Sequence, residues 1–475
     1  MAGPVENVLL IVVDALRTDR VGVYGGSDLT PNIDSIADDG EVFEQCYSCI
    51  NATDSSLTTI LTGTYPTHHG VLNHGRNITD EEQQYASGTT PLAELLSDTH
   101  HTIGVDTLER WHARGFEEYM NPRWENRSKL INVAADAVDR FPSALRQRIQ
   151  RTHSALTRRT DEAPGQVLGE SITDLAIDAI ESTGSPLFLF THYWDTHLPY
   201  VPPENCPDHV PGDSYEDEGR ELGEVLDPIR TSPWSDRLEN KLSGESTTVS
   251  ELKSKYDAGV WNADRAIGRL IETLKQRGLF EETAIIVTAD HGESFTEHGI
   301  LFDHHGLYDP TIHVPLIIRA PGFDGREREF VQHFDIVPTV LDLLGKEFRD
   351  DRFDGVSLSG ERTVPQDRGA IYAEEGHTAR KRAIRTRRYK YIRRLDDRTE
   401  CRYCEIRHAA DEELYDLATD PDEERNIATE RPELRDDLDA RLESWVESLP
   451  DSSKEPISFE LNTEVEEHLE DMGYM

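Results

Sequence analysis

Three short apolar runs, each opening into polar residues that can do chemistry, constrain this chain most. Residues 7–13 (NVLLIVV) run into Asp14, residues 186–190 (PLFLF) into THYWDTHLPY, and residues 284–289 (AIIVTA) into Asp290 and His291. Runs this short, apolar at nearly every position, read as strands buried on both faces. A fourth run, PLIIRAPG, covers residues 315–322. Between the runs lie stretches of helical spacing. They cover residues 92–98, most of 125–182, 251–278 with a stop at Gly278, and 334–345. Strands alternating with helices predict an α/β fold. The expected form is a large mixed, mostly parallel sheet sandwiched by helices.

After about residue 365 the pattern changes to short antiparallel strands (AIYAEE, AIRTRRYKYIRRL) and a final helix over 432–448. The expected organisation is a catalytic α/β domain over 1–360, an antiparallel-sheet subdomain with a packing helix over 361–450, and an acidic tail over 451–475. Residues 204–250, rich in Pro, Gly, Ser and acids, read as an excursion over the surface.

Charge adds a second constraint. The chain carries 92 Asp+Glu against 49 Lys+Arg, a formal net charge of -43 spread along its whole length. Such a surface repels itself at low ionic strength. At molar salt the Debye length falls to about 3 Å and the repulsion is screened. The expectation is a halophilic protein of a high-salt cytoplasm. The same charge argues against a nucleic-acid partner. The apolar run Val8–Val13 is too short for a signal segment or a membrane span, and no basic region precedes it.

Cys46, Cys49, Cys206, Cys401 and Cys404 do not make a secreted disulfide framework. They include two C-x-x-C pairs at opposite ends of the chain. One zinc site shared by the pairs is the sharper reading, and incidental or locally disulfide-bonded cysteines the favoured one. The basic stretch 379–394 (ARKRAIRTRRYKYIRR) reads as a strand whose solvated face pairs with nearby acids, rather than as a recognition site for an anionic tail.

In open α/β sheets ligands bind beyond the carboxyl ends of the strands. Asp14 and Asp290 end two strands, and His291 stands beside the second. Two carboxylates and an imidazole suit a divalent cation such as Ca²⁺, Mg²⁺, Mn²⁺ or Zn²⁺, one or two per chain. The bland alternative is that each Asp caps a helix. Thr53 and Ser56 precede the apolar turn TTILTG, a helix start where a hydroxyl faces the positive end of the dipole. There too, simple capping is the alternative.

Several segments then resemble the sulfatase type of the alkaline phosphatase superfamily: IVVDALRTDRVGVYG, TDSSLTTILTGTYPTHHGV, YDAGVWNADRAIGRLIETL, VTADHGESFTEHG, GLYDPTIHVPLIIRAPG, FDIVPTVLDLLG and ELYDLATDPDEERNIA. They occur in order from about residue 7 to 430. The resemblance implies an alkaline phosphatase-like fold and an anionic sulfate or phosphate ester as substrate. It implies Asp14, Thr53, Asp290 and His291 as metal ligands and Thr53 as the nucleophile. His197 and His305 would contact the transferred group and assist the leaving oxygen. Arg110 and His112 echo a weaker substrate-binding element. Asp195 is a further ligand if a second ion binds, and Arg17 and His298 lie near motifs without an assigned role.

One departure matters. Relatives that hydrolyse sulfate carry Cys or Ser in a C/S-x-P-x-R motif and convert it to formylglycine. Here the stretch is Thr53-Asp54-Ser55-Ser56-Leu57, so no formylglycine is expected. A threonine alkoxide can attack phosphorus and form a covalent phospho-enzyme. A sulfated threonine has no easy elimination route for its release. The nucleophile therefore leans towards phosphoryl transfer, with sulfate ester hydrolysis, for instance of sulfated glycans, as the alternative. A catalytically silent binding protein is the reading from another class.

Overall fold

The computed structural model describes residues 4–122, 169–203, 205–207, 219–227, 230, 235, 238, 248–348, 352–359, 368–398, 400–401 and 406–449. The helical expectation over 125–168, most of the 204–250 excursion and the 451–475 tail lie outside these residues.

The strands in chain order are β1 (Asn7–Val13), β2 (Glu41–Phe43), β3 (Cys46–Tyr47), β4 (His101–Val105), β5 (Glu118–Met120), β6 (Leu187–Tyr193) and β7 (Thr283–Ala289). Then follow β8 (Leu316–Arg319), β9 (Gly325–Glu327), β10 (Val331–Gln332), β11 (Ile371–Glu375), β12 (Lys381–Arg385), β13 (Tyr389–Arg394) and β14 (Glu412–Asp416). Eight of them form the main sheet, ordered β5-β4-β6-β1-β7-β8-β2-β9. β1, β6 and β7 are buried along their whole length. Successive side chains of a strand point to opposite faces, so complete burial means both faces are covered.

The principal helices are α1 (Pro31–Asp38), α2 (Thr53–Thr62), α3 (Gly169–Ser182), α4 (Val249–Arg277), α5 (Ile336–Leu343) and α6 (Pro432–Ser448). α1 and α3 pack on α4, and α5 packs on α2. α4 starts at a capping box, in which Thr248 accepts from the Glu251 amide and the Glu251 side chain reaches back to residue 248. It stops at Gly278, whose φ of +71° is the left-handed conformation that ends helices without a Cβ clash. Apolar residues such as Val260, Ile267 and Leu274 give it one buried face.

β8 is the one reversed strand of the main sheet, antiparallel to both β7 and β2. The apolar run at 315–322 was therefore legible as a strand but not as an antiparallel one. The reason is the connection. No long crossover helix separates β7 from β8, so the chain returns from the edge at which β7 ends.

The C-terminal strands form a separate antiparallel sheet, β11-β12-β13-β14. Leu438 and Leu442 of α6 pack against Ile384, Tyr391 and Leu414 of this sheet. Trp445 joins the sheet to the large domain by stacking on Tyr372 at 4.1 Å and meeting Tyr65 edge-on at 4.3 Å. The basic stretch does pair with acids, but part of it is buried rather than solvated. Lys390 is fully buried between Asp309 at 2.5 Å and Glu423 at 2.6 Å, and Arg385 also reaches Asp309 at 2.9 Å.

Candidate active site

Asp14 follows β1, and Asp290 and His291 follow its parallel neighbour β7. All three side chains are buried, as is that of Thr53. The Thr53 hydroxyl lies 3.3 Å from Oδ1 of Asp14 and 3.2 Å from Nε2 of His291. Three pieces of chain that are far apart in sequence thus meet at one edge of the sheet.

Thr53 is the first residue of α2, whose N-cap is Ala52 with no side-chain cap bond. Its hydroxyl is therefore not a helix cap but faces the acids. Ser56 is held differently, donating to the Asp290 carbonyl at 2.6 Å.

Asp290 presents one oxygen to backbone. Its Oδ1 accepts from the amides of Ala15 at 3.0 Å and His291 at 2.8 Å. Ala15 sits at φ +52°, a strained conformation for a residue with a Cβ, which directs its N–H at this oxygen. Tyr256 of α4 fixes the turn by donating to the Ala15 carbonyl at 2.7 Å and accepting from the Arg17 amide at 2.9 Å. The Nδ1 of His291 lies 2.8 Å from the Gly292 carbonyl, so it carries the proton and leaves the Nε2 lone pair facing Thr53.

Burial, the Asp290 charge and the Glu293 charge hold the Asp14 carboxyl well above the usual carboxylate range. Burial also raises Asp290, but His291, His192 and two backbone amides outweigh it and lower the group. Burial lowers His291, which favours the neutral imidazole a metal ligand needs.

A residue that sequence reasoning missed completes the cluster. His192, near the end of β6, offers a ring nitrogen that lies with carboxylate oxygens of Asp14 and Asp290 within 4.8 Å of one another. Its Nδ1 lies 2.9 Å from Oδ1 of Asp106, which also accepts from Trp194 at 2.9 Å. Burial raises Asp106, but His192 and Trp194 hold it down at about 2. The Nδ1 proton is thereby fixed and the Nε2 lone pair points into the cluster.

The other expected site residues are placed as follows. Arg110 donates to Oδ1 of Asp54 at 2.8 Å and His112 lies 3.0 Å from the Asp54 carbonyl, so both brace the residue after Thr53 from buried positions. Arg110 also reaches the Gly75 carbonyl at 3.4 Å, and His112 the Thr58 hydroxyl at 3.4 Å. His197 lies half-buried on the loop after β6, its ring edge-on to Trp194 at 5.3 Å. His305 Nε2 is 3.2 Å from Asp303 and its Nδ1 is 3.7 Å from the Cys401 sulfur. The neighbour His304 is the one stacked on His291, at 4.2 Å between centroids, with its Nδ1 beside the Asn51 carbonyl at 2.5 Å. Asp195 accepts from the Gly169 amide at 3.0 Å and from Asn262 at 2.5 Å, tying α3 to α4. Arg17 pairs with Asp19 and Glu297, and His298 stacks on Tyr308 at 3.6 Å.

A family model described as Sulfatase matches residues 6–346, which include every residue of the Asp14 cluster and Thr53. The chain belongs to the sulfatase family. A second model, described as N-sulphoglucosamine sulphohydrolase, C-terminal, matches residues 296–448. The chain is 25% identical over 515 residues to an N-acetylglucosamine-6-O-sulfatase of Bacteroides thetaiotaomicron, covering 95% of this chain and 89% of that one. The phosphonate monoester hydrolase of Agrobacterium radiobacter shares the fold with a TM-score of 0.66 at 20% identity, over 96% of this chain and 100% of that one. So does a protein solved in complex with its substrate D-glucosamine-2-N,6-O-disulfate, with a TM-score of 0.63 at 21% identity, over 95% of this chain and 100% of that one. This chain is an ester hydrolase of the sulfatase family.

Sulfatase-family members use a divalent metal ion, and the donor set here fits one. Among the described residues, Oδ2 of Asp14, Oδ2 of Asp290 and Nε2 of His192 are buried with no hydrogen-bond partner, although Oδ2 of Asp290 lies 3.4 Å from Nε2 of His291. Orphaned atoms of this kind are costly unless a cation takes them up.

Proposed function

We propose that the chain is a metal-dependent hydrolase or transferase of sulfate or phosphate esters that uses the Thr53 hydroxyl itself as nucleophile. One observation carries this reading: the Thr53 oxygen lies 3.3 Å from Asp14 and 3.2 Å from His291, beside the orphaned acid oxygens. Asp14, Asp290, His291 and Thr53 would hold the ion, with His192 as an added donor. When bound, a divalent ion supplies Lewis-acid polarisation of the ester and lowers the pKa of the hydroxyl.

The chain's own groups do the rest. The Thr53 hydroxyl donates towards Asp14, which takes its proton as the oxygen attacks phosphorus or sulfur. The bond to the leaving oxygen breaks, and His197 supplies that oxygen with a proton. His304, stacked on His291, is the group we set against the equatorial oxygens in place of His305, because its Nε2 lies 3.7 Å from Asp303 and is held less closely than that of His305 at 3.2 Å. Arg110 and His112 act one step back, holding Asp54 and the start of α2. Water or an acceptor alcohol then attacks the ester on Thr53, giving its proton to His197, and the bond to the Thr53 oxygen breaks as that oxygen takes its proton back from Asp14.

Threonine in place of a formylglycine precursor favours phosphoryl transfer, because hydrolysis of a phosphothreonine needs no elimination step. The sulfated-sugar relative favours sulfate esters of glycans as the alternative substrate class. Thr53→Ala is expected to lower kcat by at least roughly 10³-fold on whichever of aryl sulfate, aryl phosphate and phosphodiester is turned over. Wild-type turnover by that variant on all three would overturn the assignment.

A further inference from the structure

We propose that His305, Cys401 and His408 form a second metal site, for a soft divalent ion of the zinc class, that pins the C-terminal domain to the loop between β7 and β8. The three residues offer two ring nitrogens and a sulfur, all within 4.8 Å of one another. One thiolate and two imidazoles are the ligand types that select zinc over the harder ions suited to a carboxylate cluster.

The geometry fits tetrahedral coordination. Bonds of about 2.3 Å to sulfur and about 2.0 Å to nitrogen, at the tetrahedral angle, hold those two atoms about 3.5 Å apart. The Cys401 sulfur lies 3.7 Å from Nδ1 of His305. The other ring nitrogen of His305 lies 3.2 Å from Oδ1 of Asp303. A carboxylate on the far nitrogen is the usual outer partner of a metal-bound histidine, because it fixes the tautomer and the ring orientation.

Space is present as well. His305, Cys401 and His408 line a cavity of about 20 Å³ together with Gly306, Glu375 and Ile406. That volume admits one small occupant. The cations on its rim are already engaged, Lys381 with Glu375 at 3.8 Å and Arg394 with Asp411 at 3.4 Å. His305 comes from the loop that also carries His291 and His304, while Cys401 and His408 lie between β13 and β14. An ion here would join the two domains one residue from the ring stacked on His291. On binding, the thiol gives up its proton to solvent as the sulfur–metal bond forms.

The test uses the full chain, stripped with a chelator and titrated with cobalt(II) alone. Wild type is expected to show a thiolate-to-cobalt charge-transfer band in the near ultraviolet. Cys401→Ser is expected to lose the band and one metal equivalent, while Asp290→Asn keeps the band. Absence of the band in wild type, or its survival in Cys401→Ser, would overturn the proposal. If Cys401→Ser does not fold, His408→Ala serves, with an expected fall in zinc affinity of at least tenfold. Unchanged affinity there, or no anomalous peak at the zinc edge beside Cys401 in zinc-loaded crystals, counts equally against the site.

Discussion

Nδ1 of His192 lies 2.9 Å from Oδ1 of Asp106, and both residues are fully buried. The pair matters because the opposite nitrogen of the same ring faces the carboxylates of Asp14 and Asp290. An acid that holds one nitrogen protonated keeps the other a donor.

Asp106→Asn should therefore weaken metal binding at the Asp14 cluster by roughly 10–100-fold, the usual cost of losing an outer-shell partner. Calorimetric titration of the stripped protein with Mn²⁺ or Ca²⁺ measures this. An unchanged affinity would remove His192 from the ligand set.

Arg110 and Asp54 make a buried ion pair at 2.8 Å, beside Thr53 rather than on it. Arg110→Ala leaves the Asp54 charge without its main partner and should cost about 3–5 kcal/mol of stability. Urea unfolding reads that loss. A variant that kept full stability but bound substrate more weakly would return Arg110 to the substrate-contacting role expected from the sequence.

The Lys390 cluster sets a two-limbed response to acid. Burial lifts the Glu423 carboxyl from 4.5 to about 7 despite Lys390. Burial also raises Asp309, but Lys390 and Arg385 outweigh it and hold the group well below the usual carboxylate range. As pH falls from about 7 towards the unfolded value of 4.5, the folded chain takes up the Glu423 proton first, so this group stabilises the fold. Below the ordinary carboxylate pKa the unfolded chain binds the Asp309 proton first, so stability is lost there. Glu423→Gln should remove the first limb and Asp309→Asn the second, as measured by denaturant midpoints across pH.

With a formal net charge of -43, thermal stability should rise with salt. Melting in KCl from roughly 0.1 M to roughly 1 M, where the Debye length shrinks from about 10 Å to about 3 Å, should raise Tm. A Tm that fell or stayed flat would exclude surface self-repulsion as a main force on the fold.

Much of the fold was legible because its central strands each carry an unbroken apolar stretch of four residues or more. β1, β6 and β7 announce both themselves and the edge at which Asp14 and Asp290 emerge. Thr53 was legible through the helix start that follows it. His192 was not, because THYWDTH reads as a polar exit from a strand, whereas the strand continues to Tyr193. Asp106 carries a signal of the same kind as Asp14: it directly follows β4 as Asp14 follows β1. The direction of β8 is set by the path between strands, which periodicity does not encode. The choice between His304 and His305 depends on which ring turns towards His291, and adjacent identical residues give a sequence no means to express that.

The reversal of β8 makes the segment from Asp290 to Pro315 a closed circuit. Its two ends are pinned on neighbouring strands, about 5 Å apart by ordinary sheet spacing. The same circuit carries His291, His304 and His305 together and is clamped to its surroundings by Glu297 on Arg17 and Asp309 on Lys390, so a change of length within it would shift all three rings at once.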